Sequence, residues 1–317
     1  MLEIDNLTVK LNHTEIVRGI SFNLEKGKIL SVLGESGSGK SVTAMSILRL
    51  FEEDHSEILA NSLKYDEYDL KHISKNQLEN IRGKKIAYIF QNPIDALSPY
   101  RRIGHQFKEV LNSHGMQYDK QEVLKWLDLV GLGKEKAYIL RKYPHQLSGG
   151  QAQRVTIALA LCLNPEIIIA DEPTSSIDAS LTDTIIDLLV SINQKMNISI
   201  LFITHDFDLA TRISDDILIL YGGLVMEYGE KANIVNRPKH PYTVELFKCV
   251  RSINSREERL YALSGYALDP KAFKNQCPFA ERCHQVKKAC YQKIPSIAFD
   301  EYGTQIRCVL YDEVLNE

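Results

Sequence analysis

The chain has 317 residues, 44% hydrophobic and 25% charged, with a net charge of −3, and that length predicts one large domain with a smaller appendage. No run approaches the ~18 apolar residues of a membrane helix, and Lys and Arg form no tract that would make nucleic acid the main partner. Met1-Leu2-Glu3-Ile4-Asp5 lacks the basic-then-apolar order of a secretory signal, so a cytoplasmic protein is expected, with any membrane role exerted through a partner.

Residues 2–11 read as a strand (Leu2, Ile4, Leu7, Val9, Leu11) and residues 16–24 as a second (Ile16, Ile20, Phe22, Leu24), with a turn at Asn12-His13 between them. The apolar run 29–33 reads as a short buried strand and residues 42–48 as a helix. Residues 52–85 are polar and irregular, with a helix over 75–81. Residues 86–90 form a strand ending in Gln91-Asn92-Pro93. Residues 100–145 are helical in pattern: Val123, Leu124, Trp126, Leu127 and Val130 mark one helix face, and Gly131-Leu132-Gly133 stops it.

A further helix runs from the segment Leu147-Ser148-Gly149-Gly150-Gln151 to about residue 163, and Asn164-Pro165 breaks it. Residues 167–170 are a fully apolar strand, 180–196 a helix, 198–204 a strand, 206–213 a short helix, and 217–221 and 224–228 two strands joined by Gly222-Gly223. This alternation predicts an α/β fold with a mostly parallel buried sheet, antiparallel strands at the N-terminus and an inserted helical subdomain at about 92–160. A proline-rich linker, residues 236–243, sets the boundary between a domain at 1–235 and a small cysteine-bearing domain at 236–317.

The chemistry centres on Gly34-Glu35-Ser36-Gly37-Ser38-Gly39-Lys40-Ser41, which fits G-x-x-x-x-G-K-[ST] between a strand and a helix that opens at Val42. Small residues let successive backbone N–H groups converge on a phosphate, and the helix N-terminus adds its dipole. Lys40 supplies a point charge for the outer phosphates and Ser41 a hydroxyl for Mg²⁺. Asp171-Glu172 ends the strand 167–170, where a parallel sheet opens its ligand crevice; Asp171 can hold Mg²⁺ through water and Glu172 can polarise an attacking water. Gln91 can ligand Mg²⁺ or orient that water, and His205, at another strand end, can reach the γ-phosphate. Ser148-Gly149-Gly150-Gln151 is a second anion-binding geometry. One nucleotide does not need two such cradles, so the second is assigned to a nucleotide held by another subunit.

Taken in order, residues 34–41, Gln91, 147–151, Asp171-Glu172, the loop Ser175-Ser176-Ile177-Asp178 and His205 resemble the ATP-binding subunit of an ABC transporter over about residues 1–235. The resemblance implies a P-loop NTPase (RecA-like) core that hydrolyses ATP in a sandwich dimer with itself or a sibling subunit. It implies phosphate and Mg²⁺ binding by Lys40 and Ser41, Glu172 as general base and His205 as a γ-phosphate switch. Ser148, Gly149, Gly150 and Asp178 then act across the dimer, and Gln91 links the site to a permease. The aromatic that stacks on adenine in this family is missing from its place near Leu11 to His13.

Four of the six cysteines, Cys277, Cys283, Cys290 and Cys308, lie in the last 41 residues with spacing C-x5-C-x6-C-x17-C, a clustering that in a reducing compartment points to metal or cluster ligation before disulfides. With His240-Pro241-Tyr242-Thr243, Gln91-Asn92-Pro93 and Tyr143-Pro144-His145-Gln146, they resemble the oligopeptide/dipeptide/nickel importer branch. That branch implies a [4Fe–4S] cluster on the four cysteines; zinc, free thiols and disulfides stay open. The implied role is import of peptides or nickel and other metal chelates at the cytoplasmic face of the membrane, with permease subunits as direct partners and a solute-binding protein as an indirect one. The alternative is an ABC ATPase that assists iron–sulfur assembly.

Overall fold

A computed structural model of the chain describes residues 1–254, 263–265, 269–272 and 274–312. They divide into two compact units, one of Met1–His72 with Ile203–Glu317 and one of Ile73–Phe202.

The first unit opens with β1 (Leu2–Leu11) and β2 (Thr14–Leu24), an antiparallel hairpin turned at Asn12 and His13, whose φ angles are 46° and 64°. Leu2, Ile4, Leu7 and Val9 are buried on one strand, Val17, Ile20, Phe22 and Leu24 on the other. This is the period-two pattern of strands with one covered face. β3 (Ile29–Leu33) is buried at every residue and leads through the phosphate loop into α1 (Lys40–Ile47).

Residues 52–85, read as irregular, also contain strands. β4 (Ser56–Leu59) and β5 (Ser62–Tyr65) pair antiparallel with β1, and β6 (Tyr68–Asp69) pairs with β5. Only Leu63 and Tyr65 among their residues are buried. Such short, half-exposed segments become strands through their partner rather than through their own periodicity.

The second unit holds α2 (Lys75–Ile81), β7 (Ile86–Ile89), α3 (Ile103–Ser113), α4 (Lys120–Leu129), α5 (Lys136–Ile139), α6 (Gly149–Leu161), β8 (Ile167–Asp171) and α7 (Ala179–Met196). It also holds the first four residues of β9 (Ser199–Thr204). β7 and β8 run parallel, with Ile86 opposite Ile167 and Ile89 opposite Ala170, so both strands end on the same side of the unit. α6 packs on β7, α3 and α4 pack on α6, and α4 buries Val123 and Leu127 from its apolar stripe.

In the first unit the chain continues through α8 (Phe207–Ile213), capped by the Asp206 carboxylate, which accepts the Leu209 N–H at 3.1 Å. β10 (Asp216–Tyr221) lies parallel to β3, and β11 (Leu224–Glu230) returns antiparallel. α9 (Lys231–Asn236), α10 (Pro241–Asn254), β12 (Ala298–Phe299) and β13 (Gln305–Ile306) complete it, with β13 paired to β11.

Tyr221, Met226, Tyr242, Cys277, Phe279, Cys290 and Val309 share one buried cluster with Leu33. The cysteine-bearing segment is thus anchored on the core beneath the phosphate loop, as expected for a stretch too small to bury a core of its own. Residues 255–262, 266–268, 273 and 313–317 of the C-terminal domain expected from the sequence lie outside the described residues.

Candidate functional site

The phosphate loop is shaped by close approach. A Cβ on Gly34 would lie 2.3 Å from the Leu220 carbonyl oxygen and 2.6 Å from Ser38 Oγ, and Gly39 has φ +100°, so both positions exclude side chains. Gly39 caps α1 without a side-chain hydrogen bond, which leaves the first N–H groups of that helix to a ligand. Lys40 is buried, and its ammonium donates to the carbonyls of Gly34 at 2.8 Å and Glu35 at 3.0 Å. Ser38 Oγ is buried with no hydrogen-bond partner, an orphan that an oxygen of a bound phosphate would satisfy. Ser36 and Gly37 are exposed, and Ser41 and Val42 are half-buried. These are the donors that the chemistry of a triphosphate and its Mg²⁺ requires.

In the second unit, the shared direction of β7 and β8 brings their C-terminal residues together. Asp171 is buried, and the Tyr88 hydroxyl donates to its Oδ2 at 2.8 Å. Burial and the nearby Asp171 charge push the Tyr88 hydroxyl above its ordinary pKa, so it stays a donor. Gln91 Nε2 donates to Glu172 Oε2 at 3.2 Å, and the Gln91 carbonyl accepts from Ser176 Oγ at 3.0 Å. Glu172 has φ 44°, a left-handed backbone uncommon for a side-chain-bearing residue and often found at functional turns. Sequence reasoning missed Tyr88. Its only signal was its place as the polar member of an apolar strand.

Ser148 caps α6: its Oγ accepts the Gln151 N–H at 3.2 Å and Gln151 Oε1 accepts the Ser148 N–H at 3.3 Å, a complete capping box. Gln151 is held further by Glu135 Oε2 at 2.7 Å. Gly150 is buried, and a Cβ there would meet Leu181 Cδ1 at 2.7 Å. Ser148, Gly149 and Asp178 are exposed. His205 is also exposed and belongs with Lys40 and Ser41 to the first unit, whereas Asp171, Glu172, Gln91 and Ser148 belong to the second. At the expected adenine position Leu11 is half-buried, and the exposed His13 borders a small polar pocket with Asp54 and His55.

Cys277, Cys290 and Cys308 are buried and Cys283 is half-buried. The Cys277 N–H donates to the Cys290 carbonyl at 2.9 Å, and Cys277 lies within electrostatic reach of the other three thiols. Burial pushes Cys277 up to about 12 and Cys308 up to about 11, so both are protonated when nothing binds them. Among the described residues, no three His, Cys, Asp or Glu side chains gather closely enough to hold a single metal ion.

Residues 17–175 match the family model for an ABC transporter, and residues 226–290 match the model for an oligopeptide/dipeptide transporter C-terminal region. The chain belongs to the ABC transporter family. It is 36% identical to the oligopeptide transport ATP-binding protein AppD of Bacillus subtilis, over 99% of this chain and 97% of that one. It is 33% identical to the dipeptide transport ATP-binding protein DppD of Escherichia coli, over 97% of this chain and 96% of the other. Among solved structures, a bacterial ABC transporter cassette in a dimeric form aligns with TM-score 0.62 and 27% identity, covering 73% of this chain and 99% of that cassette. As an ABC cassette the chain has the P-loop NTPase fold and is an ATPase coupled to transport.

Proposed function

We propose that this chain is the ATP-hydrolysing subunit of a membrane importer and that its cargo is peptide. Two observations support the cargo class: the match at residues 226–290, and whole-length similarity to ATP-binding proteins named for oligopeptide and dipeptide transport. Nickel and other metal chelates, and the assembly of iron–sulfur clusters, draw no support from these relatives.

The observation that carries the catalytic reading is the contact of Gln91 with Glu172. Glu172 is the general base and Gln91 orients the attacking water and joins Ser41 at Mg²⁺, with Asp171 fixed by Tyr88. Residues 34–42 hold the triphosphate and His205 senses the γ-phosphate. Ser148, Gly149, Gly150, Gln151 and Asp178 close on the nucleotide of a second subunit, and a sibling chain is the favoured partner.

The helical segment at about 92–160 carries the permease contact. A largely apolar cleft lined by Phe90, Leu97, Val110, His114 and Leu163 supports this, since Phe90 directly precedes Gln91 in the chain. Among the described residues no helix is long and apolar enough to cross a membrane. The subunit sits peripherally on the cytoplasmic face, and a solute-binding protein selects cargo upstream of the permease. The domain limits at 1–235 and 236–317 belong to the same reading.

The four C-terminal cysteines hold a [4Fe–4S] cluster in this reading. The reach of Cys277 to the other three thiols supports a ligand shared by all four.

The test is affinity purification of the tagged chain from membranes, together with peptide uptake by cells that lack or carry it. Copurifying permease subunits and uptake that depends on the chain are expected. Copurification with soluble iron–sulfur scaffold proteins and unchanged peptide uptake would overturn the importer reading.

A further inference from the structure

Glu35, the second residue of the phosphate loop, is gripped by residues from far along the chain. Arg282 Nη1 and Nη2 donate to Glu35 Oε2 and Oε1 at 2.7 and 3.0 Å, across 247 positions of sequence. This is the two-pronged guanidinium–carboxylate geometry that adds direction to charge. Arg282 Nη1 also donates to the Tyr221 hydroxyl at 3.0 Å, and Nε donates to the Ser264 carbonyl at 2.8 Å. The Glu35 N–H donates to the Tyr242 hydroxyl at 3.2 Å. The Glu35 carbonyl in turn accepts the Lys40 ammonium at 3.0 Å.

The Arg282 side chain is 7% exposed and that of Glu35 25%, so solvent screens this pair far less than a surface ion pair. Burial works against the Arg282 cation, but the hydrogen bonds to Glu35 and Tyr221 outweigh it and raise its pKa. Arg282 ends a single 3₁₀ turn, Ala280–Arg282, between Cys277 and Cys283. Phe279, just before that turn, packs at 5.4 Å from the Tyr221 ring and 5.2 Å from the Tyr242 ring. The cysteine-bearing segment therefore delivers a cation to the phosphate loop, and the aromatic residues that seat the segment also hold the Glu35 backbone, through Tyr242, and the Arg282 that grips its carboxylate, through Tyr221.

A carboxylate inside a triphosphate cradle is electrostatically out of place. Uncompensated, it repels the nucleotide and competes for the Lys40 ammonium. We propose that Arg282 is a positioning residue of the nucleotide site, neutralising Glu35 and fixing the loop so that Lys40 meets the triphosphate. The inference rests on reading residues 34–42 as that cradle.

Mg·ATP affinity, ATP KM and kcat, and melting temperature are to be measured on the full chain and on K40A, R282M, R282K, E35Q and R282M/E35Q. R282M is expected to weaken Mg·ATP binding and raise KM about tenfold, with kcat at saturation changed by less than about twofold. R282K, with the charge but not the fork, should fall between R282M and the parent. Adding E35Q to R282M should recover most of the lost affinity, since it removes the unpaired charge. A purely structural role would lower the melting temperature and the amount of active protein while leaving KM alone. Folded R282M and R282K with the parent's affinity would overturn the proposal, as would a loss in R282M that E35Q does not relieve. If K40A weakens binding and R282M does not, only the role of Arg282 fails. If K40A binds Mg·ATP as tightly as the parent, the cradle reading falls with it.

Discussion

Gln91 Nε2 donates to Glu172 Oε2 at 3.2 Å although 81 residues separate them. The reason is the parallel pairing of β7 and β8, which ends both strands at one edge and sets the residues just beyond them side by side. Gln91 is anchored a second time through its carbonyl to Ser176 Oγ. A displacement of the segment after β7 is therefore felt at the proposed general base. Replacing Glu172 with Gln should lower phosphate release by about 10²–10⁴-fold while leaving Mg·ATP binding intact and trapping an ATP-bound dimer. Single-turnover phosphate release and size-exclusion chromatography with Mg·ATP check this; turnover at the parent's rate would contradict the assignment.

Gln91→Ala should lower kcat by about tenfold, the usual cost of losing a group that orients a reacting one. Because Gln91 also joins Mg²⁺ in this reading, the variant should need more Mg²⁺ for half-maximal rate. Rate measurements across a Mg²⁺ titration decide it. A lowered kcat with an unchanged Mg²⁺ requirement would leave Gln91 only its contact with Glu172.

In the proposed reading Ser148 has two separable jobs. Ser148→Ala removes the α6 cap, which should cost about 1 kcal/mol and lower the melting temperature by a few degrees. It should also abolish ATP-dependent dimerisation while the monomer still binds Mg·ATP. Ser148→Asp restores a cap acceptor but adds a charge opposite the partner's phosphates, so it should recover the melting temperature and not the dimer. Calorimetry and size-exclusion chromatography together separate the two effects.

His240 is fully buried, and burial holds its pKa down at about 3. Its Nδ1 accepts the Tyr242 N–H at 3.0 Å, a role it keeps only when neutral. The unfolded chain protonates this histidine at its ordinary pKa near 6.5, so it binds more protons than the folded chain between about 6.5 and 3. Stability is therefore fully present above about 6.5 and falls with pH below it, by about 1 kcal/mol per unit. His240→Asn should flatten this part of the stability curve, measured as denaturation midpoints from pH 7 to pH 4.5. An unchanged slope would contradict the role of His240.

Anaerobically purified protein should carry about four irons per chain with broad thiolate-to-iron absorption, both lost in Cys283→Ser. Iron and zinc quantitation with an absorption spectrum checks it. Stoichiometric zinc without iron would contradict the cluster and make the segment a structural metal module. Under either result the ATPase assignment rests on other residues.

Local order in the sequence was enough for the main elements and for the phosphate loop. The glycine spacing of residues 34–41 dictates its own backbone, the strands β3, β8 and β10 are apolar runs apart from Ser31 and the end residues Asp171 and Asp216, and Ser148 and Gln151 carry the capping box in their spacing alone. These features depend on neighbours within about four positions, so periodicity and turn chemistry expose them. Three groups of features were decided by tertiary structure. β4, β5 and β6 are strands because β1 and one another lie beside them, their own alternation being half-exposed. Tyr88 reaches Asp171 and Gln91 reaches Glu172 only because two strands run parallel. Arg282 and Tyr242 meet Glu35 across 247 and 207 positions. No repeat or spacing encodes a pairing across that separation, which exists only once the hydrophobic cluster around Tyr221 and Phe279 has folded the C-terminal segment onto the core.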